Sequence, residues 1–291
     1  LGRDVLYRLP DAYGEGGGMI QLRVLSLGAG VQSTTMALMA AHGEIGPMPD
    51  AAIFADTGAE PQPVYDHLTW LMSANVLPFP VHVVSAGNLR DILTGRAHWK
   101  GGNDGRPPFY VVTDKGDAGT LNRQCTRHFK IDPIRRKVRE LLGLTHGQRG
   151  PKTAAAEQWI GISLDEATRM KPSRDRYIES RWPLIEKRMT RRDCLKWLAA
   201  HDYPLPAKSA CTFCPFRNDV GWRDLRNNDP VSFADAVAID KVIRDGMPGV
   251  NRSQVFIHRS LKPLDEVDLS TAEERGQLNL FINECEGMCG V

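Results

Sequence analysis

The apolar positions of this chain fall into short runs separated by stretches of helical spacing. Residues 22–27 (LRVLSL), 51–55 (AAIFA) and 80–84 (PVHVV) are apolar runs bounded by Gly, Asp or Pro, the signature of buried strands. Between them, residues 33–42 and 62–73 carry apolar side chains three and four apart, with Pro61 and Pro63 at the start of the second. Strand, helix, strand, helix, strand is the order of a parallel sheet with right-handed crossovers. The fold class expected is therefore α/β, a twisted parallel sheet flanked by helices. Ligands of such sheets sit beyond the carboxyl ends of the strands, where SLGAGVQS and DTGAEP both fall.

Further along, residues 95–124 are rich in Gly, Asp and Arg with little periodicity, and are expected as a mobile loop on the substrate side. Helical spacing returns at 131–142, a strand is expected at 157–162 (EQWIGI), and helices at 190–201, 219–227, 232–245 and 272–284. No internal repeat or clean linker divides the chain.

Composition narrows the partners. Lys plus Arg number 37 against 35 Asp plus Glu, so attraction to polyanions has to come from local clusters. One such cluster, EKRMTRR at 186–192, reads as a helix cap with a solvated face or as a nucleic-acid contact. No apolar stretch is long enough to span a membrane and the N-terminus lacks a signal-peptide layout, which predicts a cytoplasmic protein with no membrane partner. In a reducing compartment the six cysteines are to be read for metal or redox chemistry.

Three stretches carry candidate chemistry. Gly28, Ala29 and Gly30 permit a tight turn, and the helix that starts near Gln32 aims unpaired N–H groups back at it, an anion nest with Ser26 and Ser33 as hydroxyl donors. The spacing matches neither the dinucleotide nor the Walker fingerprint, and ligand-free βα turns of this composition are common. At the next strand end, Asp56, Thr57 and Gly58 offer a carboxylate, a hydroxyl and a close-approach backbone. Cys211 and Cys214 form C-x-x-C in SACTFCPFR, two thiols on one turn that suit iron–sulfur or zinc. The eight histidines show no metalloprotease or finger spacing, and no Gly-x-Ser-x-Gly elbow supports serine hydrolase chemistry.

As an ordered set these residues resemble the phosphoadenosine-phosphosulfate (PAPS) and adenylylsulfate reductase family. SLGAGVQS is similar to that family's modified PP-loop, with Gln32 where ATP pyrophosphatases carry Asp, and ADTGAEP is similar to its DTG motif. CTRHFKIDPI resembles its CCxxRKVxPL segment, SACTFC its later C-x-x-C, and TRRDCLKWLAAHDYPLP the helix and turn before that pair. WIGISLDEATRM resembles the region that closes over the nucleotide, and NECEGMCGV the mobile tail whose cysteine is the nucleophile.

The resemblance implies a PP-loop, Rossmann-like sheet with a helical C-terminal part. Residues 1–18 would be a flexible leader or an expression remnant, 19–217 the nucleotide-binding domain, and 218–291 the helical part with its Cys-containing tail. It implies an adenine nucleotide (ATP, adenylylsulfate or PAPS) over Ser26, Gly28, Ala29, Gly30, Gln32, Ser33, Asp56, Thr57, Gly58 and Arg169, with Lys130, Arg169 and Arg217 as clamps for phosphate or sulfate. It implies a [4Fe–4S] cluster on Cys125, Cys211 and Cys214, zinc being the competing metal. Thr126 stands where the family has a further ligand; Cys194, Cys285 or Cys289 completes the site, or one iron stays open. Cys285 and Cys289, with Lys130, are the expected catalytic residues. The implied function is sulfonucleotide reduction with a thioredoxin-like reductant. The alternatives are a sulfurtransferase that acts on a nucleic acid and draws on a sulfur donor, and a nucleotide-sensing regulator without turnover.

Overall fold

A computed structural model describes residues 19–98, 105–247, 253–271 and 274. Its elements β1 (Leu22–Leu27), α1 (Val31–Ala41), β2 (Ala51–Asp56), α2 (Gln62–Leu71) and β3 (Val81–Ser85) follow the expected order. Then come α3 (Leu89–Leu93), β4 (Tyr110–Thr113), β5 (Ala118–Thr120), α4 (Asp132–Leu141), β6 (Ala156–Ile160) and β7 (Ile178–Arg181). The chain continues through α5 (Pro183–Glu186), α6 (Arg191–Ala200), α7 (Asp219–Asn228) and α8 (Pro230–Ile243) to β8 (Ser253–Phe256).

Five strands form one sheet in the order β3-β2-β1-β6-β7, and every neighbouring pair is parallel. From β1 the chain steps outward to β2 and β3, then returns to lay β6 on the other side of β1. The loops after β1 and β6 consequently part in opposite directions and open a crevice at the carboxyl edge between them. Helices cover both faces, which is why the strands read as unbroken apolar runs. Leu25, Leu27, Phe54 and Trp159 pack toward α1 and α6, whereas Leu22, Val24, Ile53 and Ile178 pack with Val138 of α4.

Two expectations need correction. The passage 95–124 is no plain loop: β4 pairs antiparallel with β5 and with β8, giving a second sheet in the order β5-β4-β8. Its strands are only three or four residues long and β5 is exposed along its length, so no alternation marked them. β8 also places a strand in the part expected to be helical. A second core of Phe109, Phe129, Phe213, Trp222, Ile239 and Val255 joins this sheet to α7 and α8. Strand β7 escaped notice because only Ile178 of its four residues is buried. The expected leader 1–18, the helix 272–284 and the tail thiols Cys285 and Cys289 lie outside the described residues. Among the described residues no helix is long and apolar enough to cross a membrane.

His67 on α2 is buried with Nε2 3.1 Å from the Thr34 hydroxyl, and burial pulls its pKa down to about 4 from 6.5. The fold therefore holds the neutral ring, and its contribution is full above pH 6.5 and is lost as the pH falls toward 4. The thermal midpoint should drop across that window. His67→Gln, which keeps a neutral partner for Thr34, should flatten the drop to the part left by His82 and His258, whose pKa values burial also lowers.

Candidate functional site

The crevice begins at the loop Gly28–Gly30. Ala29, fully buried, takes a left-handed backbone (φ 53°) within this turn, a strained conformation held by its surroundings. The loop is closed by Ser33: its Oγ accepts from the Gly28 N–H at 3.1 Å and donates to the Gly30 carbonyl at 3.3 Å. Helix α1 has no side-chain cap and no acidic residue in its first turn, so its leading N–H groups are left for an anion. Gly161, just past β6, was not singled out in the sequence, yet a Cβ there would stand 3.1 Å from the Ser33 nitrogen. Ser26 lies deeper and accepts from Gln158 Nε2 at 2.8 Å, across the β1–β6 pair.

Gln32 is held from three sides. Its Nε2 donates to Ser163 Oγ at 3.4 Å and Glu166 Oε2 at 3.2 Å, and its Oε1 accepts from Arg191 Nη1 at 3.1 Å. Glu166 also pairs with Arg169, both on a 3₁₀ turn (Leu164–Arg169). Arg191 belongs to the basic cluster expected on a solvated face. The capping box of Thr190 and Asp193 starts α6 beside the crevice and turns Arg191 toward Gln32. The T-x-x-D spacing marked the helix start, but nothing in the sequence marked its neighbour.

At the end of β2, Asp56 accepts from the Gly58 N–H and from the Tyr65 hydroxyl, both at 2.8 Å. Burial and Asp56 together raise the Tyr65 pKa. Gly58 adopts φ 67°, and a Cβ there would come 2.6 Å from the Asn88 side chain that caps α3. Two residues on stands Glu60, its side chain 1% exposed, with Lys130 Nζ at 3.2 Å and Ser209 Oγ at 3.3 Å. Lys130 projects from a π-helical turn (Arg127–Ile131), and the Glu60 carboxylate holds its pKa above the ordinary lysine range.

The thiols meet the loop here. Thr57 Oγ1 lies 3.4 Å from Cys211 Sγ, and a Cβ on Gly30 would touch Ser209 at 3.4 Å. Cys125, Cys211 and Cys214 line one cavity of about 80 Å³ together with Lys130, Ser209 and Arg123. The Cys214 N–H donates to the Cys211 carbonyl at 3.0 Å, the tight turn that C-x-x-C requires. Burial pushes the Cys211 thiol up to about 12, Glu60 pushes the same way and Lys130 opposes; Cys125 is also raised by burial. Cys194 is not brought to this group. It sits on α6 in the main core, its thiol raised to about 12 by burial. Arg217 is buried, its guanidinium 5.4 Å from the Trp222 ring centroid, and is not among the residues lining the cavity.

No family model and no curated protein matches this chain. A solved structure is similar. It is a phosphoadenylyl-sulfate (PAPS) reductase from Candida auris in a phosphate complex, 13% identical over 63% of this chain and 74% of that one, with a TM-score of 0.41. A likeness that distant assigns neither ligand nor reaction.

The charges around Cys211 make a test. Glu60→Gln leaves burial in place but removes a negative charge, so the Cys211 pKa should fall from about 12. Each unit of that fall raises the thiolate fraction about tenfold at a pH below both values. In metal-free protein at pH 9, iodoacetamide should label Cys211 severalfold faster in Glu60→Gln and more slowly in Lys130→Met, read by peptide mass spectrometry.

Proposed function

We propose that this chain is an adenine-nucleotide-binding enzyme of sulfur metabolism, of the sulfonucleotide reductase kind. The observation that carries the reading is the junction of the anion nest with the thiol cavity: Ser209 approaches Gly30, bonds Glu60, and stands two residues before Cys211. A nucleotide's anionic end would lie on the start of α1, with Asp56, Thr57 and Gly58 on the nucleoside side. Lys130 and Arg169 would meet the phosphate and sulfate, Lys130 as a point charge and Arg169 by its fork.

Cys125, Cys211 and Cys214 would hold a [4Fe–4S] cluster. The donors fit one: three thiols line a single cavity, and two of them, Cys125 and Cys211, whose pKa values desolvation raises, give up their protons when a metal supplies the compensating charge. Zinc with bonds of about 2.3 Å needs sulfurs about 3.8 Å apart. C-x-x-C suits either metal, so zinc is the competing occupant. When bound, the cluster supplies polarising charge beside the nucleotide's anionic end.

In this reading a thiolate of the tail, Cys285 or Cys289, attacks the sulfate sulfur. The S–O bond to phosphorus breaks, and AMP, or its 3′-phosphorylated form, leaves with the electron pair. Two thiols of a thioredoxin-like partner then release sulfite from the S-sulfocysteine and become a disulfide. Lys130 offsets the negative charge gathered at the leaving phosphate. A second reading is supported by the placement of Cys194 in the main core: among the described residues only three cysteines meet at the cavity. An iron left open suits a sulfurtransferase, in which ATP adenylates an oxygen of a nucleic acid, pyrophosphate leaves, and sulfur displaces AMP. A regulator would bind the nucleotide without turnover.

Anaerobic titration with ATP, adenylylsulfate and PAPS separates these readings: tighter binding of a sulfonucleotide is expected, and preference for ATP selects the sulfurtransferase. Gly30→Val, which crowds the approach to Ser209, should weaken nucleotide binding at least about tenfold, an effect of roughly 1.4 kcal/mol, with the melting temperature little changed. Unchanged affinity would leave the loop a mere turn. Cys211→Ser should bleach a brown native protein, whereas a colourless native protein with stoichiometric zinc would overturn the cluster.

A further inference from the structure

The end of the α1–α6 pair away from the nest carries a different group of donors. Arg191 reaches Gln32 at the start of both helices, and some ten residues later, about 15 Å at 1.5 Å per residue, their ends converge again. His42 is the C-cap of α1, His201 is the C-cap of α6, and Glu44 follows in the turn after α1. One donor atom from each comes within 4.8 Å of the others, on an exposed face. Two helix C-termini, each with roughly half a negative charge, point at this spot, and neither last turn holds a basic residue.

Each candidate ligand is also held by a further partner. His201 Nδ1 lies 2.8 Å from the Trp197 carbonyl, which fixes the proton on Nδ1 and leaves Nε2 as the lone-pair nitrogen. His42 Nε2 lies 2.7 Å from the Tyr203 hydroxyl; with the Nε2 proton donated there, Nδ1 is the free donor. The Glu44 carboxylate accepts from Trp197 Nε1 at 3.2 Å, and the Trp197 ring stacks on His201 with centroids 4.0 Å apart. Oriented imidazoles and carboxylates with such partners are what metal centres use and what an ordinary solvated surface does not need.

We propose that His42, Glu44 and His201 form a surface site for one borderline transition-metal cation of the zinc or cobalt(II) class, with at least one coordination position open to water or to another ligand. Two imidazole nitrogens and one carboxylate match that class, and magnesium would gain little from them. Bonds of about 2.0–2.2 Å require donors about 3.3–3.5 Å apart, a closure of roughly an ångström that exposed side chains can make. This site is independent of the thiols and of the nucleotide.

The test is an anaerobic Co²⁺ titration of the full chain, read by absorption. Nitrogen and oxygen ligands give weak visible ligand-field bands, while thiolates add intense near-ultraviolet charge transfer, so the two centres are distinguishable. Cys211→Ser should keep the weak bands, Zn²⁺ should displace them, and a large excess of Mg²⁺ should not. His201→Ala should abolish them. Glu44→Gln, which still accepts from Trp197 and should fold as the parent does, should weaken Co²⁺ binding at least about tenfold. Unchanged titration of Glu44→Gln and His201→Ala, or bands that vanish in Cys211→Ser, overturns the proposal.

Discussion

A carboxylate removed from water organises the site. Glu60, with 1% of its side chain exposed, would be expensive to bury alone, by several kcal/mol. Lys130 and Ser209 must therefore be brought to it. Lys130 arrives from the π-helical turn and Ser209 from the approach to C-x-x-C, so one buried charge ties the end of β2 to two distant segments. The same tie fixes what the thiols experience. Glu60 and Lys130 act on Cys211 with opposite signs, and the balance depends on their separation.

The second core explains why this arrangement stays in place. Phe129 precedes Lys130, Phe213 lies between Cys211 and Cys214, and both rings are fully buried with Trp222. Lys130 and Cys214 thus each follow an aromatic residue driven out of water, with about 1.5–3 kcal/mol per ring favouring that burial. The thiols sit where the parallel sheet's edge meets this second core. The shielding of Cys125 and Cys211, and hence their raised pKa values, follows from packing against that core.

The α1–α6 pair gives the molecule two ends of opposite character. Both helices start beside the crevice, where the uncapped first turn of α1 favours an anion, and both finish among His42, Glu44 and His201, where the carbonyl ends favour a cation. Buried Thr35, Met36, Leu38, Cys194 and Leu198 keep the helices together along their length. Because both helices run in one direction, their dipoles add at each end.

Much of the architecture was legible before any coordinates. Strands buried on both faces must be apolar throughout, and a helix packed on one must repeat at three and four residues; β1, β2, β3, α1 and α2 follow from that rule. The sheet's carboxyl edge named the loop at Gly28 and the residues at Asp56 as neighbours, and C-x-x-C placed two thiols on one turn. The short strands β4, β5, β7 and β8 carried no such signal, because a half-exposed strand of three or four residues gains its identity from a partner far away in the chain. Polar contacts were hidden for the same reason. That Arg191 bonds Gln32, that Glu60 is buried against Lys130, that Gly161 must be small, and that Cys194 is kept from the other thiols are all facts about distance in space. Local periodicity records which side of an element meets water. Which charge meets which was decided only when the chain closed on itself.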